Sequence, residues 1–183
     1  METDAALTDM GLAITLDRAT LEHEFDRLLA ENGPGLARLA ASFTNTPSDR
    51  DDLLQEIAMA AWRALPGFRG QCAARTFVYR IAHNRAIAFL ARNRERFPAA
   101  GAAIDAPDPT PDPECGLARE QSAARLRRAV HDLPVIYRQA ITLTLEGLGY
   151  AEIAEVLGIS ESNVGARLSR ARQLLREALE NRK

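Results

Sequence analysis

The residues from Phe68 to Arg96 read FRGQCAARTFVYRIAHNRAIAFLARNRER. This stretch opens with a short loop containing Gly70 and then continues without Gly or Pro to its end. Apolar side chains recur at helical spacing, as at Phe77 and Ile81, and Asn84 falls on the same line. This periodicity predicts one long helix with an apolar face.

The same stretch is strongly basic. From Arg63 to Arg96 there are eight arginines and a single acid, Glu95, and aromatic residues are interleaved with the cations. Guanidinium groups beside stacking faces suit unpaired bases and phosphates. The alternative is a core helix whose arginines only reach solvent, since a basic patch alone is weak evidence.

The composition indicates a helical protein. The chain has 183 residues, of which 46% are hydrophobic and 26% charged, and Ala and Leu dominate. No apolar run reaches the roughly 18 residues of a membrane span, and the acidic start is unlike a signal peptide, so we expect a cytoplasmic protein. The two cysteines and three histidines are scattered, which predicts no metal site, no cofactor and no enzymatic centre.

The net charge of −2 hides a strong asymmetry. Residues 1–62 carry twelve acids and four bases, whereas residues 63–96 are strongly basic. Residues 97–118 carry four acids and no base, and residues 119–183 carry eleven bases and eight acids. This distribution predicts localised anion binding.

Composition also divides the chain into parts. We expect a mobile segment at 1–20, a helical domain at 21–96, a linker at 97–116 and a second helical domain at 117–183. The linker alternates Pro with polar residues at Pro107–Pro113, which favours an extended conformation. The predicted fold is therefore all-α, with two small helical domains joined by a Pro-rich acidic linker.

The first domain is expected to contain several short helices. Gly33–Gly35 (GPG) should break the first amphipathic pattern, and a further helix should run from about Asp51 to Leu65. The outward face of that helix holds Asp52, Gln55, Glu56, Met59 and Arg63. Acids in a first turn can simply complement the helix dipole, but Met59 among them indicates a partner surface.

The second domain carries a helix-turn-helix pattern. Ala154 permits close helix crossing, Gly158 permits a left-handed turn, and Val164 packs the next helix on the first. Ser160 should cap a final helix reaching about Glu180. Such a helix can place its first turns in a major groove, although an ordinary helical hairpin has similar spacing.

Several motifs resemble the conserved regions of one family. DDLLQE at Asp51–Glu56 and TFVYRIAHN at Thr76–Asn84 resemble the second conserved region of bacterial sigma factors, as do Ala61–Leu65 and Phe68–Gly70. Leu133-Pro134, Glu146–Ser160 and Val164–Arg172 resemble the fourth. The two-region layout is similar to the extracytoplasmic-function group.

The resemblance implies a subunit that directs RNA polymerase core to promoters and controls transcription initiation. The first domain would grip the clamp helices of the largest subunit through Asp52, Gln55, Glu56 and Met59. It would also capture the −10 strand and flip one base into a pocket. The residues expected to bind that strand are Phe68, Arg69, Gly70, Gln71, Arg75, Tyr79, Arg80, His83 and Asn84.

The second domain would bind the flap of the other large subunit and read the −35 duplex. The residues expected there are Ser162, Asn163, Ala166, Arg167, Ser169, Arg170 and Arg172. Asn suits adenine and Arg suits guanine, so Asn163 and Arg170 are the expected base readers. Arg167, Arg172 and Arg176 are expected to contact the phosphate backbone of the DNA. An anti-sigma protein is also an expected partner.

Two other functions fit parts of the sequence. A stand-alone helix-turn-helix regulator would bind duplex DNA, usually as a dimer, but the sequence offers no heptad seam for one. A helical adaptor binding only protein would suit the acidic N-terminal third. The stand-alone regulator would also leave the basic, aromatic stretch without a role.

Overall fold

Helices form all the regular structure in residues 18–93 and 116–180, the part of the chain that this computed structural model describes. The helices are α1 (Arg18–Phe43), α2 (Pro47–Ala64), α3 (Ala74–Arg92), α4 (Gly116–His131), α5 (Val135–Leu145), α6 (Tyr150–Leu157) and α7 (Glu161–Glu180), with a 3-10 turn at Leu65–Gly67. The predicted all-α class is confirmed. The predicted mobile segment and linker lie almost wholly outside the described residues.

The predicted break at Gly33–Gly35 is wrong, because α1 runs through it with Pro34 inside the helix. Proline in a helix interior removes a backbone donor and is costly. Packing compensates for that cost: Leu36 and Leu39 on the same helix are almost fully buried against the core. Gly35 faces the hydroxyl of Tyr79, so this glycine provides space for a neighbour and does not end the helix.

The second helix begins earlier than the sequence predicted. Thr46 is its N-cap, and the Thr46 Oγ1 accepts a hydrogen bond of 3.0 Å from the backbone N–H of Asp49. Pro47 occupies the first turn, where its missing N–H costs nothing. Leu53, Ile57 and Ala61 form the buried stripe of α2, which leaves the predicted partner face pointing outward.

The apolar line predicted for α3 is displaced around the helix. Val78, Ala82 and Ala86 are fully buried, whereas Asn84 is exposed and Ile81 is only partly buried. Adjacent residues differ by about 100° around a helix, so a shift of one position rotates the whole face. Because Asn84 is exposed, its side-chain amide does not need a hydrogen-bond partner inside the protein.

The helix-turn-helix is formed by α6 and α7. Gly158 ends α6 with φ of 65°, in the left-handed region that glycine tolerates best. Ser160 begins the next helix, and its hydroxyl accepts a bond of 3.3 Å from the N–H of Asn163. Val164, Leu168, Ala171 and Leu175 are buried along α7, as the periodicity predicted.

The two halves of the chain pack against each other. Helix α3 lies on α6, and α1 contacts both α4 and α5, so buried residues from the two halves form one continuous core. Arg138 on α5 donates a bond of 3.2 Å to the carbonyl of Ser42 on α1. The division into two domains stays a prediction, and the packing between them was not anticipated.

Candidate functional site

A shallow groove between α2 and α3 brings together the four residues predicted to bind a protein partner. The groove has a volume of about 340 Å³. Its lining includes Asp52, Gln55, Glu56 and Met59, together with Phe89, Arg92 and Asn93. Met59 is 43% exposed, so an adaptable apolar side chain lies open beside the carboxylates.

Arg92 is a member of this groove that the sequence did not reveal. Its Nη2 lies 2.6 Å and 2.8 Å from the two carboxylate oxygens of Glu56. The two residues are 36 positions apart and meet only because α2 and α3 pack together. In the groove, the carboxylate of Asp52 is therefore exposed to solvent, whereas that of Glu56 is already paired with Arg92.

The loop after the 3-10 turn forms the open part of the predicted −10 surface. The rings of Phe68 and Phe77 lie 4.5 Å apart between centroids and are inclined by 31°, which fixes the start of the loop. The side chain of Gln71 accepts a bond of 3.0 Å from the N–H of Arg69, and Gly70 has φ of 71°. Arg69, Gly70 and Gln71 are exposed, as is Asn84.

The remaining predicted −10 residues lie on the face of α3 that meets α6. Arg75 donates to the backbone carbonyl of Glu146, and its guanidinium lies 5.6 Å from the ring centroid of Tyr79. Tyr79 is 1% exposed, so its ring is unavailable to a strand in this arrangement. Arg80 Nη1 lies 3.5 Å from Glu155 Oε1 on α6.

Burial also changes the acid–base properties of this face. Desolvation by burial, together with the positive charge of Arg167 on α7, lowers the pKa of His83 to about 4. Desolvation raises the pKa of Tyr79, and the carboxylate of Glu146 acts in the same direction. Both side chains are therefore neutral near pH 7 while the halves are packed.

The first turns of α7 present the predicted −35 residues to solvent. Ser162, Asn163, Ala166, Ser169, Arg170 and Arg172 are exposed, and Arg167 is partly buried. Arg167 Nε donates a bond of 3.0 Å to Asn163 Oδ1, and Arg170 Nη1 donates one of 2.8 Å to Gln173 Oε1. The expected base readers are therefore aligned on one polar face opposite the buried stripe.

The described residues hold no group of three or more His, Cys, Asp or Glu side chains placed to bind a metal ion. In the same part of the chain, no helix combines the length and apolar character that crossing a membrane requires.

Comparisons with known proteins agree with this arrangement. The family described as "Sigma-70 region 2" matches residues 28–96, and "Sigma-70, region 4" matches residues 123–175. The first match contains the groove and the loop, and the second contains the helix-turn-helix.

Individual proteins are similar over most of the chain. The RNA polymerase sigma-H factor of Pseudomonas aeruginosa is 31% identical, with 85% of this chain and 86% of that protein covered. The ECF RNA polymerase sigma-E factor of Escherichia coli is 32% identical over 96% of this chain and 94% of its own length. Among solved structures, CnrH in complex with the cytosolic domain of CnrY matches with a TM-score of 0.65 and 28% identity, covering 93% of this chain and 94% of that one.

Proposed function

Because the chain belongs to the extracytoplasmic-function group of RNA polymerase sigma factors and directs core polymerase to promoters, we propose specific roles for the three surfaces described above. The observation that carries the proposal is the groove between α2 and α3. Its acidic and apolar lining lies on the opposite side of α2 from the buried stripe, so it is open to a partner.

The groove is proposed to bind the core polymerase. Asp52, Gln55 and Met59 are exposed on one helix face, and Glu56 is held between them by Arg92. An apolar centre with charged neighbours is typical of protein interfaces, where charge sets orientation and approach. We assign the clamp helices of the largest subunit to this groove and the flap of the other large subunit to the second half of the chain.

The loop and α3 are proposed to hold the −10 strand. Phe68 is partly exposed and packs on the buried ring of Phe77, and Arg69 and Gln71 are exposed beside it. Asn84 is exposed and free to offer donor and acceptor groups to a base. Extruding a base costs a few kcal/mol, so specific contacts must compensate for that cost.

The N-terminal turns of α7 are proposed to read the −35 duplex. Asn163 and Arg170 are exposed on the polar face and can reach base edges. Arg172 and Arg176 lie further along the helix, where side chains usually meet phosphates. Arg167 is assigned to the phosphate backbone of DNA; here its charge is near enough to His83 on α3 to lower the pKa of that side chain.

Three further assignments follow from the family. Its members are specificity subunits and not catalysts, and we propose that this chain likewise has no enzymatic activity of its own. We propose that it acts in the cytoplasm with RNA polymerase. Since the similar CnrH was solved with the cytosolic domain of CnrY, we propose that an anti-sigma protein binds this chain too.

The groove assignment is tested by reversing its charge. Asp52→Arg combined with Glu56→Arg should weaken core binding at least about tenfold while leaving the helix content unchanged. The matched control is Asp26→Arg with Glu31→Arg, which makes the same charge change on exposed positions of α1. Binding is measured by fluorescence anisotropy of the labelled chain titrated with core polymerase. Equal affinities of the two double variants would show that the groove is not the docking surface.

A further inference from the structure

Three polar side chains on the exposed face of α7 are joined by hydrogen bonds. Arg170 Nη1 donates a bond of 2.8 Å to Gln173 Oε1, and Gln173 Nε2 donates one of 2.9 Å to Glu177 Oε1. All three residues are exposed, and their spacing of three and then four positions places them along one side of the helix. We call Arg170, Gln173 and Glu177 the polar row. It begins at the arginine assigned to a base and runs towards the C-terminal end of α7.

The chemistry of the two ends fixes the direction of each bond in the polar row. A carboxylate only accepts hydrogen bonds, and a guanidinium only donates them. The amide of Gln173 satisfies both neighbours in one orientation, with its N–H groups towards Glu177 and its oxygen towards Arg170. Glu177 therefore sets the orientation of Gln173, and Gln173 in turn presents an acceptor to Arg170.

Gln173 and Glu177 are poorly placed to read a base themselves. A glutamine that recognises adenine uses its amide oxygen and its N–H group together. In the polar row both ends of the Gln173 amide are already engaged. Glu177 lies about 10 Å beyond Arg170 along the helix axis, at a rise of roughly 1.5 Å per residue. Any role of these two residues in sequence recognition is therefore exerted through Arg170.

The bond from Arg170 to Gln173 prepares the guanidinium for a bidentate contact. It uses one donor of Nη1 and leaves Nη2 and Nε for other acceptors. Guanine presents two acceptors, O6 and N7, in the major groove, and a guanidinium in a suitable orientation contacts both. A side chain that is oriented before binding loses less conformational entropy when it meets its partner. The polar row should therefore strengthen the preference of Arg170 for guanine.

We propose that Gln173 and Glu177 are positioning residues that set the base preference of Arg170 in the −35 duplex. Glu177 acts without touching the DNA, although its charge opposes the approach of phosphates. An acid on the DNA-binding helix thereby helps to determine specificity. This inference rests on the proposed assignment of Arg170 to a base edge.

Removal of the Glu177 carboxylate distinguishes positioning from simple electrostatics. If Glu177 acts only through its charge, Glu177→Leu should raise the affinity for all duplexes alike, because one source of phosphate repulsion is lost. If Glu177 positions Arg170, the same substitution should also lower the preference at one −35 position. Leucine favours helices as glutamate does and offers no acceptor to an amide. Glu180→Leu is the matched control, since it removes the same charge from an exposed position three residues further along α7.

The variants are measured as full-length chains bound to core polymerase. A promoter is first selected from a random library with the parent holoenzyme. Each position of its −35 part is then varied singly, and the bound fraction of every sequence is counted by sequencing. Glu177→Leu and Gln173→Ala should lower the guanine preference about threefold to tenfold at the position that Arg170→Ala relaxes, and nowhere else. Glu180→Leu should keep every preference of the parent.

Exchange of two side chains provides a rescue without a change in net charge. In Gln173→Glu combined with Glu177→Gln, position 173 offers Arg170 a carboxylate acceptor, and the amide at position 177 can donate to that carboxylate. The double variant should recover the guanine preference that Glu177→Leu loses. A merely structural role of Glu177 would not predict this recovery, because a disturbed helix affects all −35 positions together.

The possible outcomes separate this proposal from the one on which it rests. If Arg170→Ala relaxes one position but Glu177→Leu and Gln173→Ala leave every preference unchanged, the positioning role is overturned and the base contact stands. Equal losses at all −35 positions in Glu177→Leu would also overturn it. Unchanged preferences in Arg170→Ala would reject the base contact and the positioning role together.

Discussion

Replacing Gly35 by Ala tests the packing of α1 against α3 and the second half of the chain. A Cβ at this position would collide with the hydroxyl of Tyr79 and with Oε2 of Glu146. Neither neighbour can retreat easily, because Tyr79 is 1% exposed and Glu146 is held by two bonds from Arg38. The substitution should therefore push α1 away from Tyr79 and Glu146 or strain the core around them.

The magnitude comes from two opposing contributions. Alanine in a helix interior is more favourable than glycine by roughly 0.5–1 kcal/mol. Overpacking a closed site costs typically ~1–3 kcal/mol. Gly35→Ala should therefore lower the free energy of unfolding by up to about 2.5 kcal/mol. Gly165 on α7 is the matched control, because its added Cβ would only touch Tyr150 at 3.7 Å.

The assay is urea unfolding followed by circular dichroism, with the midpoint and slope fitted for each variant. Gly165→Ala should raise the free energy of unfolding by roughly 0.5–1 kcal/mol, while Gly35→Ala lowers it. If both substitutions stabilise the chain equally, then Tyr79 and Glu146 do not lie against Gly35 in solution, and the described packing of α1 is refuted.

Three other changes have defined outcomes. Leu168→Ala should cost ~2–5 kcal/mol in urea unfolding, because this fully buried side chain holds α7 in place; a loss below about 1 kcal/mol would contradict that packing. Arg170→Ala should cost ~1–3 kcal/mol and relax one −35 position in library selection, whereas Arg176→Ala should weaken all sequences alike; an unchanged motif for Arg170→Ala would make it a phosphate contact. Folding lowers the pKa of His83 from 6.5 to about 4, so the free energy of unfolding should fall by at most ~3 kcal/mol from about pH 6.5 towards pH 4. His83→Gln should flatten that fall when unfolding is measured across this pH range. An identical pH profile for the variant and the parent would contradict the burial of His83.

The parts of the fold that depend on residues close together in the sequence could be predicted from local patterns. The helix-turn-helix could be predicted because Gly158 and Val164 act within one short segment: Gly158 adopts the left-handed turn and Val164 is buried in the following helix. The outward position of Asp52 and Met59 could be predicted for the same reason, since both lie on one helix.

Contacts between distant segments could not be read in this way. Arg92 pairs with Glu56 across 36 residues, and Arg38 pairs with Glu146 across 108. Pro34 misled the prediction, because its local cost is outweighed by burial of the helix around it. Asn84 was placed on the wrong face of α3, because both Phe77 and Val78 are buried and the apolar line alone did not distinguish their sides.

Reconstitution of transcription initiation tests directly whether this chain directs core polymerase to promoters. The purified chain is mixed with core polymerase and a library of promoter fragments, and open complexes are detected by permanganate reactivity of unpaired thymines. Melting should occur only when chain and core are both present, with enrichment of one motif having separate −10 and −35 parts. Duplex binding by the chain alone, with no melting when core is added, would contradict the account and favour a stand-alone regulator.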